Sequence, residues 1–282
     1  MKTILEVLNL STEYLHKKGI ANARRQAEEV LSDALGIKRL QLYLDFERPL
    51  VDREMDACRQ KIVRRSQGEP AQYIHGQVEF FGCNIKVDRH VLIPRSETEL
   101  LVEKITLALQ KQDLSNKVMW DICCGSGCIG IALKKRFPEL SVTLSDISPQ
   151  ALALARENAK INEVEVEFLE GDLLKPFIGR KAHYIVCNPP YIAEAEYPEL
   201  DREVKDFEPK VALVSGKTGL EVYQRLAAEL KEYLYPQAKI WMEIGFRQGN
   251  ALIKEFSSPY WKQCLFEKDL AGHDRFFFLE NE

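Results

Sequence analysis

The N-terminal part of the chain carries hydrophobic side chains at the spacing of amphipathic helices. In residues 3–18, apolar residues recur every three or four positions, among them Leu8 and Leu15. A second helix is predicted over residues 21–35, and it stops at a glycine. A third, over residues 52–66, alternates charges along an exposed face. Short helices of this kind predict a small bundle.

The pattern then changes to β-branched and aromatic residues. "AQYIHGQVEFFGCNIKV", residues 71–87, is punctuated by two glycines, which predicts a β-hairpin. "LIPRSETELLVEKITLAL" follows, and its Ser96 and Glu99 have the spacing of a capping box. We therefore expect a helix from this point to about residue 111.

From residue 117 onward, strand and helix patterns alternate. "KVMWDIC" is almost continuously apolar, as in a strand buried on both faces. "SVTLSDI", "VEVEFLEGDL", "AHYIVCNPP" and "AKIWMEIG" predict four more strands, with helices after the first, second, fourth and fifth strands. The end, "WKQCLFEKDLAGHDRFFFLE", predicts two strands joined by a turn at Gly272. The expected fold is α/β, a parallel sheet with helices on both faces and a closing antiparallel hairpin.

Composition narrows the class of protein. A net charge of −4 and a pI of about 5.9 argue against a general nucleic-acid coat, and residues 1–90 carry only 15 basic against 13 acidic side chains. The seven cysteines lack paired spacing, so we expect reduced thiols in the cytoplasm, with no disulfide framework and no metal site. The N-terminus predicts a helix and not a signal peptide. No apolar run approaches the ~18 residues of a membrane span.

A glycine-rich loop follows the first buried strand. "DICCGSGCIG" places Gly125, Gly127 and Gly130 in a G-x-G-x-x-G pattern at the start of a helix, where backbone can approach a ligand closely. Asp146, at the end of the next strand, has the spacing of an acid that binds a ribose. The pattern alone fits either a nicotinamide cofactor or S-adenosylmethionine. Asp121 favours the second, because an acid suits an ammonium group better than a pyrophosphate.

Asp172, in "EGDLL" after the third strand, has two interpretations. Its carboxylate can receive an adenine amino group, or it can cap the following turn. The candidate cofactor-binding residues are Asp121, Cys123, Cys124, Gly125, Ser126, Gly127, Asp146, Asp172, Leu173 and Asn188.

The fourth strand ends in "NPPY", residues 188–191. With the glycine loop and the acid after the second strand, the chain resembles class I S-adenosylmethionine-dependent methyltransferases that modify planar nitrogens. That resemblance implies a Rossmann-like, seven-stranded sheet. Because "NPPY" also occurs in adenine-amino DNA methyltransferases, it indicates the chemistry and not the substrate.

Four further segments narrow the resemblance: "GEPAQYIHGQVEFFG", "VLIPRSETELLVE", "FEPKVALVSGKTGLEVYQRL" and "DLAGHDRF". They resemble the release factor glutamine methyltransferases of the HemK/PrmC type, over nearly the whole chain. The resemblance implies methylation of the glutamine amide in the Gly-Gly-Gln motif of peptide chain release factors. It also implies a helical substrate-engaging domain (1–68), a β-hairpin linker (69–95) and a methyltransferase domain (96–282). We expect a monomer that binds neither nucleic acid nor membrane.

The "NPPY" residues are the candidate catalytic and substrate-binding residues. Asn188 can accept one N–H of an amide through its side-chain oxygen, and the carbonyl of Pro189 can accept the other. Pro189 and Pro190 stiffen the turn, and Tyr191 can stack on the flat amide. Directing both hydrogens turns the nitrogen lone pair towards the methyl group, which is catalysis by positioning. Arg95 is predicted to lie over the substrate cleft.

Two departures from the family pattern stand out, since the family often has glycine in place of Cys123 and proline in place of Ser96. Three alternatives stay open. An adenine-amino DNA methyltransferase would need a basic target-recognition region. An NAD-dependent oxidoreductase would leave "NPPY" unexplained. A non-catalytic ribosome- or RNA-associated module would not need the positioning of a planar nitrogen that "NPPY" provides.

Overall fold

The computed structural model describes residues 1–282, which separate into two compact units. The first unit comprises Met1–Gln77 together with Asp201–Phe207, and the second comprises Val78–Leu200 and Glu208–Glu282. None of the helices combines the length and the hydropathy that a membrane crossing requires.

The first unit is helical. Its buried core contains one face of each long helix, for example Leu8 and Leu15 of the first and Val30 and Leu31 of the second. Thr3 and Glu6 form a capping box at the first helix, through a 2.8 Å bond from the Thr3 N–H to the Glu6 carboxylate. The helices of this unit are α1 (Ile4–Lys17), α2 (Ala23–Leu35), α3 (Arg39–Leu44), α4 (Asp52–Ser66), α5 (Ala71–His75) and α9 (Arg202–Phe207).

The second unit is an α/β structure, preceded by a two-stranded hairpin of β1 (Gln77–Phe80) and β2 (Cys83–Lys86). Its strands are β3 (Val118–Ile122), β4 (Ser141–Asp146), β5 (Glu167–Glu170), β6 (Ala182–Cys187), β7 (Leu234–Glu243), β8 (Trp261–Lys268) and β9 (Asp274–Asn281). Its helices are α6 (Ser96–Leu109), α7 (Cys128–Arg136), α8 (Pro149–Ile161), α10 (Glu221–Glu229) and α11 (Gly249–Glu255).

The seven strands lie in the order β5-β4-β3-β6-β7-β9-β8. The first five in this order are parallel, and β9 pairs antiparallel with both β7 and β8. The predicted parallel sheet with a closing antiparallel hairpin is therefore confirmed. The chain runs outward from β3 on one side and from β6 on the other, so the strand order reverses between them. Such a switch point opens a crevice at the carboxyl ends of the strands.

Sheet register brings the predicted site residues to this crevice. Ile122 of β3 pairs with Cys187 of β6, so the glycine loop and "NPPY" leave the sheet side by side. Below them, Trp120 stacks on Phe177 at 4.0 Å in the buried core. The start of α8 also follows the prediction, because Ser148 caps it by accepting from the Ala151 N–H at 3.2 Å.

Two local predictions are wrong. Residues 71–75, which the hairpin prediction included, form α5, and the hairpin strands begin only at Gln77. The predicted capping box of Ser96 and Glu99 does not form, because Arg95 is the N-cap residue and makes no side-chain capping bond. Glu99 instead accepts a hydrogen bond from the Phe81 N–H at 2.7 Å. An unpaired hairpin amide therefore takes the carboxylate that local spacing assigned to the helix start.

Candidate functional site

A cavity of about 230 Å³ opens at the switch point. The glycine loop, the ends of β4 and β6, the segment before α6, the loop before α10 and α10 itself all contribute to its wall. Nine of the predicted site residues line it: Cys123, Cys124, Gly125, Ser126, Asp146, Asp172, Leu173, Asn188 and Pro190. Asp121, Gly127, Pro189, Tyr191 and Arg95 are not among its lining residues. Cys123 and Asn188, which are 65 positions apart in the chain, thus line the same cavity.

The glycine loop is tightly wound. Cys123, Gly125 and Gly127 have φ values of 58°, 54° and 78°, in the left-handed region that favours glycine. Cys123 adopts this conformation with a side chain, which gives a physical reason for a glycine preference at its position. A Cβ on Gly127 would lie 2.9 Å from the Leu144 side chain, so this glycine allows close packing of loop on strand.

The carboxylate of Asp146 anchors the loop. Its Oδ2 accepts from the Gly125 N–H at 2.8 Å and its Oδ1 accepts from the Ser148 N–H at 2.9 Å. Burial raises the pKa of Asp146, and the backbone donors oppose that shift. Each oxygen keeps a further lone pair, so the carboxylate can also accept hydroxyl groups of a ligand.

Asp121 lies beneath the loop and is fully buried. Its Oδ2 accepts from the Gly130 N–H at 2.8 Å, while its Oδ1 has no hydrogen-bond partner. Burial raises the pKa of Asp121 to about 7, and the nearby Asp146 adds to the rise. A buried acceptor without a donor is a costly arrangement, and a cationic group in its vicinity would relieve it.

Asp172 meets two cations. Its Oδ2 accepts from Arg225 Nη2 at 2.6 Å and from Lys175 Nζ at 2.9 Å. The bond to Arg225 is the main cause that lowers the pKa of Asp172. The side chain makes these pairs in place of a cap on the following turn. Since Arg225 also lines the cavity, this ion pair lies at the cavity wall.

The "NPPY" turn is held at both ends. At one end, Asn188 Nδ2 donates to Thr98 Oγ1 at 3.4 Å. At the other, the carbonyl of Tyr191 accepts from Gln248 Nε2 at 2.9 Å, and its hydroxyl lies 3.3 Å from Arg275 Nη1. Burial raises the pKa of Tyr191, so its phenol stays protonated. The turn therefore presents a fixed backbone.

Arg95 is partly buried, and its guanidinium pairs with the buried carboxylate of Glu208. Glu208 also accepts from the Ile93 N–H at 3.1 Å. The pair ties the segment before α6 to the start of the 208–215 loop, which contributes to the cavity wall. The structure thus gives Arg95 a partner within the chain, and its predicted role over the substrate cleft stays a prediction.

Several residues around the site were missed by sequence reasoning. Asn158 of α8 donates to the Ser126 carbonyl at 2.9 Å and pairs with both backbone groups of Lys86, which fixes the glycine loop and β2 together. Glu243 and Thr98 are fully buried next to "NPPY". The one available signal was the charge of Glu243 inside the apolar run "AKIWMEIG". Thr98, Asn158 and Gln248 carry no such signal.

Comparison with known proteins identifies the family. Residues 96–202 match the model of the methyltransferase small domain, and residues 6–76 match that of the PrmC N-terminal domain. The release factor glutamine methyltransferase of Chlamydia trachomatis serovar D is 42% identical over 98% of this chain and 94% of its own. That of Geobacter sulfurreducens is 40% identical over 97% and 95%. The chain belongs to the release factor glutamine methyltransferase family.

Family membership makes the protein a methyltransferase, and a solved structure agrees with its fold. A Thermus thermophilus 16S rRNA methyltransferase, in complex with AdoMet and guanosine, aligns with a TM-score of 0.52 at 14% identity over 73% of this chain and 50% of its own. At that identity the likeness concerns the fold alone. The adenine-amino DNA methyltransferase and the oxidoreductase, the two alternative activities, receive no support from these relatives.

Proposed function

We propose that this protein transfers a methyl group from S-adenosylmethionine to the side-chain amide nitrogen of the glutamine in the Gly-Gly-Gln motif of peptide chain release factors. The observation that carries the proposal is the position of Asn188 on the cavity that the glycine loop also lines. One wall therefore offers a cofactor subsite and an acceptor for an amide N–H. The names of the relatives supply the substrate class.

The residues present fit S-adenosylmethionine. The Asp146 carboxylate lines the cavity with lone pairs free for the ribose hydroxyls. The loop residues Cys123–Ser126 offer backbone at close approach, and Leu173 contributes an apolar surface. The unpaired Oδ1 of Asp121 supports the assignment of a negative group to the vicinity of the methionine ammonium. When bound, the cofactor would supply an electrophilic methyl group and leave as S-adenosylhomocysteine, and the methylated nitrogen would then lose one proton.

The chain's own residues act by positioning. The Oδ1 of Asn188 accepts one N–H of the glutamine amide, and the Pro189 carbonyl accepts the other. These two hydrogen bonds become stronger as the nitrogen gains positive charge, so they stabilise the transition state more than the ground state. Pro190 and Tyr191 keep the turn in place. We propose that the Tyr191 ring also stacks on the flat face of the glutamine amide.

The remaining assignments follow from the same proposal. The helical residues 1–68 engage the release factor, residues 69–95 link them to the catalytic part, and residues 96–282 carry the chemistry. We place the activity in the cytosol of a bacterial cell, in line with seven free cysteines, and expect a monomer. In this proposal Arg95 contributes to substrate binding by anchoring the segment before α6, through its ion pair with Glu208.

The direct test is incubation of the purified protein with S-adenosylmethionine and a release factor, followed by peptide mass mapping. The expected result is one added methyl on the Gly-Gly-Gln peptide. Asn188→Ala should abolish the transfer and leave cofactor binding within a few-fold, because Asn188 aims the acceptor nitrogen. Asn250→Ala, at an exposed position of α11, is the matched control. Turnover retained by Asn188→Ala would contradict the role of this side chain.

A further inference from the structure

Asn188 is the last member of a chain of three side chains joined by hydrogen bonds. Its Nδ2 donates to Thr98 Oγ1 at 3.4 Å, and Thr98 Oγ1 donates to Glu243 Oε2 at 2.6 Å. Thr98 and Glu243 are 2% and 1% exposed, so water does not compete for these bonds. Asn188 directly follows β6, Thr98 lies in the first turn of α6, and Glu243 is the last residue of β7.

The direction of these bonds follows from proton counting. A threonine hydroxyl has a single proton, and when Glu243 is ionised the 2.6 Å bond to its carboxylate oxygen uses that proton. Thr98 Oγ1 can then only accept from Asn188. An asparagine amide has a donor side and an acceptor side of nearly equal size, so shape alone does not distinguish its two orientations. The hydroxyl of Thr98 does distinguish the two orientations. It can accept a hydrogen bond from Nδ2, but it has no proton left to donate to Oδ1.

We infer that Thr98 and Glu243 are positioning residues, which hold the Asn188 amide with Oδ1 turned towards the substrate nitrogen. This inference rests on the proposed function. In the opposite orientation, Asn188 would present its own N–H groups to the N–H groups of the substrate amide, and the acceptor would be lost. The buried Glu243 carboxylate, acting through Thr98, thus sets the orientation of the Asn188 amide at the site.

The surroundings of Glu243 act on its ionisation in opposite directions. Burial raises the pKa of Glu243, whereas the bond from Thr98 and the nearby charges of Arg275 and Arg95 oppose the rise. The nearby charge of Glu97 raises the pKa of Glu243. The backbone carbonyl of Glu243 is also fixed, since it accepts from the buried Tyr223 hydroxyl at 2.7 Å. These contacts hold the end of β7, and with it the Thr98 bond, in a single arrangement.

Two matched pairs at position 98 test the inference. Thr98→Val keeps the shape of the side chain and removes the hydroxyl, whereas Thr98→Ser keeps the hydroxyl. Thr98→Ala and Thr98→Ser form a second pair, which differs only in the hydroxyl oxygen. Both side chains are smaller than threonine, so this pair serves if Thr98→Val folds poorly. The readouts are kcat and KM for methylation of a release factor, the Kd for S-adenosylmethionine, and the melting temperature.

Thr98→Val and Thr98→Ala should each lower kcat about 10- to 100-fold, which is the range expected when a reacting group loses its alignment. Thr98→Ser should retain kcat within a few-fold, and the cofactor Kd should stay within a few-fold in all three. Equal kcat values with and without the hydroxyl would overturn the inference, as would a fall in kcat that only follows the melting temperature. Wild-type protein that methylates no release factor would instead overturn the proposed function on which the inference rests.

Discussion

Asp121 gives the most quantitative prediction, because its carboxyl group is fully buried with one oxygen unpaired. Burial raises its pKa from the ordinary 3.8 to about 7. Between these values the folded protein keeps a proton that the unfolded chain has released. Rising pH therefore favours the unfolded state, and stability is lost as the pH rises from about 4 to about 7.

The magnitude follows from the shift. About three pH units at ~1.36 kcal/mol each amount to roughly 4 kcal/mol of lost stability above pH 7. Most of this loss, about 3 kcal/mol, falls between pH 5 and pH 8. The perturbation is Asp121→Asn, which keeps an acceptor for the Gly130 N–H but cannot ionise. The substituted amide adds a constant offset to stability, so the change with pH is the informative quantity.

The assay is urea unfolding of the cofactor-free protein at several pH values, followed by tryptophan fluorescence. The three tryptophans, Trp120, Trp241 and Trp261, all lie in the second unit and report on it alone. The free energy of unfolding of Asp121→Asn should rise relative to wild type by about 3 kcal/mol from pH 5 to pH 8. Glu139→Gln removes an exposed carboxylate and controls for net charge. Parallel pH profiles for wild type and Asp121→Asn would refute the reasoning.

Two further predictions concern packing in the second unit, and both are measured as free energies of unfolding. Gly127→Ala should cost about 1–3 kcal/mol more than Gly179→Ala, because both have φ near 78° but only the first Cβ would lie within 3.0 Å of another side chain. Equal costs would contradict the packing role. Phe177→Ala should cost about 3–5 kcal/mol, since this ring is fully buried against Trp120, whereas the half-exposed Phe246→Ala should cost less than about 1 kcal/mol. A small effect of Phe177→Ala would argue against a rigid core beneath the site.

Much of the fold was accessible from the sequence, because its signals are local. The almost continuous apolar runs mark buried strands, and Ser148 followed by Pro149 marks the start of α8. The glycine loop and the "NPPY" turn were placed at strand ends by the same reasoning. Register then brought them together, since Ile122 pairs with Cys187. The predicted role of each site residue, however, stays a proposal.

Only the tertiary structure decided which polar groups meet. Thr98 lies 90 residues from Asn188 and 145 from Glu243, and no spacing rule connects them. Glu99 has the spacing of a capping box, yet it serves a hairpin amide that the fold brings near. A buried donor or acceptor needs a partner wherever the chain supplies one, and that requirement is satisfied across the packed sheet. Periodicity along the chain therefore determined the elements, and the hydrogen-bonding demands of buried groups in the folded unit determined the contacts around Asn188.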